Sequence, residues 1–317
     1  MSNQLETRDS EKINFTVKNQ LIQTLVKKAS VETGRALREF LSKSDQPIQD
    51  LATSDLIKNN AAWVIECLLP LLYKHKNDLH ETDAHVGTMA LEIIEGLAYD
   101  HIYLLIPLLH DQDELIRAQA ADLLGLVGNP KAAEALIATL QDPSPRVRSS
   151  ALASLGRLAD EQAIPAIERL LQTEDDSWVI FSCIKSLERI GGRRATKILL
   201  DLLKQDDEFI LAAAIESLGE IGSRGIIRYM LKTLAYPSAR ILERMSTALI
   251  SILQRDGLVL DSSRSAAARL SKQTRADLIS FFTMCASSLT INYVTRLRAI
   301  DILGKLKAEE MLAHLEN

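Results

Sequence analysis

The stretch VRSSALASLGRLADEQAIPAIERLLQ, Val147 to Gln172, repeats the pattern of IRAQAADLLGLVGNPKAAEALIATLQ, Ile116 to Gln141, thirty-one residues upstream. In each, apolar residues recur every three or four positions, a short polar or glycine-containing break follows, and a second apolar-periodic run closes the unit. That pattern predicts two amphipathic helices joined by a tight turn. The period continues through the chain. Leu124, Leu155, Leu187, Leu218 and Leu249 are spaced by 31, 32, 31 and 31 residues.

Other columns keep step with these leucines. Ile116, Val147, Val179, Ile210 and Ile241 open each first helix, and Ala120, Ala151, Cys183, Ala214 and Met245 occupy its middle. Val127, Leu158, Ile190, Ile221 and Ile252 close it, and Leu140, Leu171, Leu203 and Leu234 anchor the second helix. Upstream, Leu109 in HIYLLIPLLHD stands one period before Leu140, so an earlier copy starts near His85. A unit of this kind cannot bury its apolar stripes alone and must stack on its neighbours. Gly125, Gly156 and Gly219 lie inside first helices, where glycine costs about 1 kcal/mol relative to alanine. Their recurrence predicts close approach by a neighbouring backbone. Gly128, Gly191 and Gly222 fall where the first helix should stop, as a left-handed cap prefers.

DPSPRVRSSALASLG and DQDELIRAQAADLLG each set an Asp (Asp142, Asp111) six residues before an Arg (Arg148, Arg117). These stretches resemble the HEAT-repeat family, particularly the short HEAT-like repeats associated with phycobilin lyases. The resemblance covers about residues 85 to 255 and implies an Asp–Arg ladder between copies. Ile180 and Leu211 replace the Arg in later units, so less regular stacking is expected there. The implied fold is all-α, a right-handed α-solenoid superhelix of HEAT-like helical hairpins. Its expected organisation is a disordered 1–12, an irregular helical segment at 13–84 with a degenerate repeat, repeats over 85–255, and degenerate capping helices over 256–317. Helices are expected near 15–41 and near 60–73, the latter with Trp63 and Cys67 on one face. VTRLRAIDILGKLK at 294–307 reads as another first helix.

Composition narrows function by exclusion. The 317 residues are 47% hydrophobic but only 4% aromatic, which suits helices packed by Leu, Ile and Ala. A net charge of −5 gives no general argument for nucleic acid or an anionic membrane. Cys67, Cys183 and Cys285 are too far apart for a disulfide framework or a metal-ligand spacing. The leading MSNQLETRDSEK lacks the apolar core of a signal peptide, and no apolar run reaches the roughly 18 residues of a membrane span. A cytoplasmic protein is expected. His75, His80, His85, His101 and His110 cluster in sequence, but His80 and His85 are five apart where a zinc-binding helix needs four. The single His80–Glu81 step also lacks the repeated dyads of the HEAT-repeat iron hydroxylases. No metal, cofactor or catalytic residue is expected, and Cys183, in the alanine column, reads as a small core residue.

Charge is distributed unevenly. From Asn77 to Ile116 there are nine acidic residues and no Lys or Arg, whereas Arg240 to Lys307 holds eleven basic residues against five acidic. One face of the second helices reads Lys131, Glu134, Ala138, Gln141; then Gln162, Pro165, Arg169, Gln172; then Arg194, Lys197, Asp201, Lys204; then Gly225, Arg228, Lys232, Ala235. It becomes basic along the chain, with Arg193 and Arg224 at its edge. By resemblance to HEAT solenoids, second helices line the concave surface, which would place this stripe inside the curve. The candidate partner-binding residues are therefore Arg169, Arg193, Arg194, Lys197, Lys204, Arg224, Arg228 and Lys232. The expected function is a non-enzymatic scaffold or adaptor that binds another protein through an acidic segment. The resemblance also supplies an alternative, a phycobilin lyase or chaperone-like handler of a protein-bound tetrapyrrole. Nucleic-acid binding ranks lower, because Tyr229 and Tyr236 are the few aromatics near the stripe that could stack on bases.

Overall fold

The computed structural model describes residues 81–233, 238–257 and 270–315, with 53–54, 56–57, 64–65 and 68. The expected disordered segment 1–12, the helix expected at 15–41, residues 258–269, and Trp63, Cys67, His75, His80, Leu234, Ala235 and Tyr236 lie outside the described residues. Of the helix expected at 60–73, Val64, Ile65 and Leu68 are helical and buried.

Among the described residues there are helices and no strand. Helix α1 (Glu81–Ala98) is followed by two short 3₁₀ segments, Ile102–Leu104 and Ile106–His110. Then come α2 (Glu114–Val127) with α3 (Ala133–Thr139), α4 (Pro145–Leu158) with α5 (Ile164–Leu171), α6 (Ser177–Ile190) with α7 (Gly192–Leu202), and α8 (Glu208–Ile221) with α9 (Arg224–Thr233). The last three are α10 (Ala239–Arg255), α11 (Lys272–Ser287) and α12 (Tyr293–Leu315). The alternation of longer first and shorter second helices is the helical hairpin that the period demanded. HIYLLIPLLHD departs from it by forming 3₁₀ turns, with Pro107 at the start of the second. The chain packs as two compact units, Met1–Ser154 and Leu155–Asn317.

The sequence columns are columns of depth. Leu124, Leu155, Leu187, Leu218 and Leu249 have no solvent exposure, and neither do Ala120, Ala151, Cys183, Ala214 and Met245. The opening column is also buried at Val147, Val179, Ile210 and Ile241, whereas Ile116, the closing residues Leu158, Ile190 and Ile221, and Leu171 are half-buried. A terminal turn borders the connecting loop, where solvent replaces one packing neighbour.

The helical glycines mark close approaches between consecutive first helices. A Cβ on Gly125 would fall 2.7 Å from the Ser154 Cα, and one on Gly219 would fall 2.8 Å from the Ala248 Cα. Gly156 faces Ser186 in the same way, with 3.1 Å to its Cα. Of the copies without this glycine, the one with Leu187 has Glu188 there, and its carboxylate accepts a hydrogen bond from Ser217 Oγ. The small residue thus comes just before the core leucine on one helix, and its glycine partner just after the leucine on the previous one.

Helix starts are capped by Asp113, Asp176 and Asp207, each accepting from a backbone N–H two residues on. Stops vary more than the glycine column suggests. Gly128 adopts the left-handed cap (φ 69°). Gly191 has φ 70° and ψ −158°, a conformation accessible essentially to glycine. Gly222 corrects the expectation: it is extended (φ −70°), and a Cβ there would strike the Leu218 carbonyl oxygen and Ile226. Its glycine serves steric clearance rather than a positive φ. The fourth member of the column, Ala159, holds φ 51° without being glycine.

The ladder implied by the Asp–Arg spacing is present in the first unit. Arg117 grips Asp142 through Nε (2.7 Å) and Nη2 (3.0 Å), while its Nη1 donates to the Asp111 and Gln112 carbonyls. Arg148 repeats the turn contact, donating to the Asp142 and Pro143 carbonyls. Burial pushes the Asp142 carboxyl up, but hydrogen bonds from Arg117 and the Ser144 amide, with the charges of Arg117 and Arg148, outweigh it. The carboxyl lies below its ordinary 3.8.

Three outcomes follow from this packing. Leu155→Ala should cost about 2–5 kcal/mol in urea unfolding, because the site has no solvent access and little room to collapse. Ala159→Gly should raise stability by about 0.5–1 kcal/mol by relieving the left-handed alanine. Asp142→Asn should cost about 1.5–3 kcal/mol at neutral pH. A depressed carboxyl stabilises fully above its unfolded value and loses that contribution as pH falls through the folded one. The gap between wild type and Asp142→Asn should therefore close as pH drops below about 3.8, read by urea midpoints across a pH series.

Candidate protein-binding surface

Second helices α5, α7 and α9 each have one apolar and one polar face. Ile164, Ile167 and Leu170 of α5 point into the core, as do Ala195, Ile198, Leu199 and Leu202 of α7 and Ile227 and Met230 of α9. Helical spacing leaves the opposite face in water. The face read from the sequence is exposed at Lys131, Glu134, Ala138 and Gln141, and again at Gln162, Arg169 and Gln172, with Pro165 half-buried. All eight expected contact residues are exposed: Arg169, Arg193, Arg194, Lys197, Lys204, Arg224, Arg228 and Lys232.

Their pairing divides them. Arg194 Nη2 lies 2.8 Å from Glu168 Oε2, tying α7 to α5. Lys204 meets Asp201 at 2.7 Å, and Arg228 Nε lies 3.7 Å from Asp277 Oδ2 on α11. Hydrogen bonds to Asp201 and Tyr229 push the Lys204 ammonium up, so it keeps its charge well above neutrality. Arg169, Arg193, Lys197, Arg224 and Lys232 have no carboxylate within ion-pair distance of their side chains among the described residues. The stripe thus holds paired cations that set side-chain geometry and unpaired ones that remain available to an incoming anion. Solvent screens exposed pairs of this kind, so the arrangement adds little to stability. Beside Lys232, a cavity of about 260 Å³ is lined by Met230, Met245, Asp277, Phe281 and Met284. Methionines adapt readily to a side chain entering such a space.

The other candidate groups do not converge. Cys183 is fully buried. Burial pushes the Cys285 thiol up to about 12, so it stays protonated near neutrality and is a poor nucleophile. His101 packs edge-on against Tyr103 and shares a 3.2 Å hydrogen bond with its hydroxyl, and His110 is exposed in a 3₁₀ turn. Among the described residues, no three His, Cys, Asp or Glu side chains gather to hold a metal ion. No described helix is long and apolar enough to cross a membrane. One feature escapes the composition argument altogether. Trp178, Phe181 and Phe209 meet on the surface of α6 and α8, and the signal for it in the sequence is the recurrence of DDSW (175–178) as DDEF (206–209), one period on.

The family model for HEAT repeats matches residues 102–188, the stretch that holds the Arg117–Asp142 contact and the first glycine approaches. Residues 102–188 are HEAT repeats. Over 56 residues, 18% of the chain, the sequence is 48% identical to phycocyanobilin lyase subunit alpha of Picosynechococcus sp. strain PCC 7002. The match spans only 21% of that relative's length. Helical hairpins continue beyond the matched repeats. Importin beta superposes on 92% of this chain at a TM-score of 0.54 and 17% identity, the match covering 46% of importin beta, which is a likeness of fold alone. The complex of CpcE and CpcF of phycocyanin lyase from Nostoc sp. PCC7120 aligns over 88% of this chain and 95% of that one at 18% identity, with a TM-score of 0.34.

Proposed function

We propose that this HEAT-repeat chain is a non-enzymatic scaffold or adaptor working in the cytoplasm, and that it binds an acidic segment of another protein along the exposed face of α5, α7 and α9. The observation that carries this reading is the row of eight exposed cations on α5, α7 and α9 and the turn after α7, five of them with no side-chain ion pair among the described residues. Rigid stacked helices hold these charges at fixed intervals, so an extended acidic segment loses little freedom beyond its own on binding. Charge complementarity of this kind acts mostly on the association rate and on partner choice. Carboxylates suit the stripe better than a base-stacking polynucleotide does, because Tyr229 is the aromatic among the described residues of these helices.

A second reading has an observation of its own, the 48% identity to a phycocyanobilin lyase subunit. In that reading the same stacked helices handle a tetrapyrrole-bearing protein, and the acidic segment belongs to the acceptor.

The test is a quadruple reversal, Arg194→Glu, Lys197→Glu, Arg228→Glu and Lys232→Glu, assayed with a fluorescent peptide alternating Glu and Leu. Wild type should bind it with an affinity that falls as salt rises, and the variant should bind roughly tenfold or more weakly with unchanged helicity. Binding retained by the variant removes this face from consideration. Covalent colour appearing when the chain is mixed with phycocyanobilin and an acceptor apoprotein would favour the lyase reading instead.

A further inference from the structure

We infer that the aromatic cluster on first helices α6 and α8 is a second docking surface, built for a partner segment that alternates basic and apolar side chains. Trp178 and Phe181 lie one turn apart on α6, and Phe209 opens α8. The ring centroids are 5.7 Å apart for Trp178–Phe181, 6.4 Å for Trp178–Phe209 and 5.6 Å for Phe181–Phe209. Trp178 is 70% exposed and Phe209 39% exposed. The chain has two tryptophans and is 4% aromatic, so three touching rings on one surface concentrate a scarce resource. Folding leaves most of the Trp178 surface in water. Large exposed aromatic side chains that already pack against one another are the usual anchors of protein interfaces.

Repeat architecture explains how the cluster arises. Trp178 and Phe209 hold the same position in consecutive copies, which is Leu115, Arg146 and Arg240 in the others. These are also the two copies in which Ile180 and Leu211 replace the ladder arginine. Stacking then places one ring above the next, and Phe181 fills the step between them.

The surroundings set the partner's charge. Glu174, Asp175 and Asp176 precede Trp178, and Asp206, Asp207 and Glu208 precede Phe209. There is no Lys or Arg from Leu170 to Ile184 or from Gln205 to Ser223. Asp176 and Asp207 each use Oδ1 to cap their helices, and Glu208 accepts from Ser238 Oγ. Asp175 and Asp206, one period apart and both exposed, have no hydrogen-bond or ion-pair partner among the described residues. An arginine seated over Trp178 would gain the ring face and a carboxylate together, and an intervening apolar side chain would cover Phe209. An acidic segment, the ligand proposed for the second-helix stripe, would be repelled here.

The test uses a fluorescent peptide alternating Arg and Leu, followed by anisotropy and by tryptophan emission. Saturable binding with a blue shift of Trp178 emission is expected, weakened roughly tenfold or more in Trp178→Ala and in Phe209→Ala. Asp175→Asn with Asp206→Asn should weaken it several-fold and flatten its salt dependence. A peptide alternating Arg and Ser should bind far more weakly, and the Glu–Leu peptide should bind Trp178→Ala as it binds wild type. Full binding of the Arg–Leu peptide by Trp178→Ala, or equal binding of the Arg–Ser peptide, would overturn the proposal. So would a concentration-dependent dimer that Trp178→Ala abolishes, since the occupant would then be a second copy. The variants change exposed residues, and circular dichroism checks that they fold. Failure here leaves the second-helix stripe standing, because the quadruple reversal reads that surface separately.

Discussion

The close approach of consecutive first helices is the constraint on which the rest of this structure depends. Where Gly125 meets Ser154, Gly156 meets Ser186 and Gly219 meets Ala248, the glycine contributes no side chain and its partner only a small one. The core leucine beside each contact, Leu124, Leu155, Leu187, Leu218 or Leu249, is then sealed from solvent. Glycine inside a helix costs about 1 kcal/mol, and the dispersion and burial gained when two helices touch offset it. Glu188 solves the same problem differently, replacing steric emptiness by a hydrogen bond to Ser217. This contact sets the spacing of successive hairpins, and the spacing decides which outward-facing residues become neighbours.

Two kinds of neighbour result. In the earlier copies an arginine near the start of the first helix folds back onto turn carbonyls, and Arg117 also holds Asp142. In the copies beginning at Ser177 and Glu208 the arginine is gone and the turn keeps its carboxylates, while the residue before the first core position becomes aromatic. A structural charge ladder gives way to an exposed aromatic step with acid around it. On the second helices the same regular spacing aligns cations, some braced by Glu168, Asp201 and Asp277 and others open to solvent. In these copies the starts of the first helices α6 and α8 carry acid, and the second helices α7 and α9 carry cations.

Depth was legible in the sequence wherever a residue sat in mid-helix. The leucine and alanine columns could be read directly because a period near thirty-one returns each position to the same environment. The exposed face of the second helices was legible for the same reason, and all eight of its cations are in water. Helix ends were less so. Gly222 stands in a cap column yet is extended, and Ala159 holds a left-handed turn with no glycine to announce it. A turn's dihedrals answer to the packing on both sides, which a single column does not encode.

The sequence by itself determined that this protein is a stack of helical hairpins, with known residues inside and known residues outside, because amphipathic periodicity is a local property of the chain. Only the tertiary structure decided which exposed groups meet. Arg194 finds Glu168 twenty-six residues away, Arg228 finds Asp277, and Trp178 finds Phe209. Those meetings depend on the distance and rotation between neighbouring hairpins, which come from side chains packing in three dimensions; linear order shows, as in DDSW and DDEF, that two positions are equivalent and not that they touch.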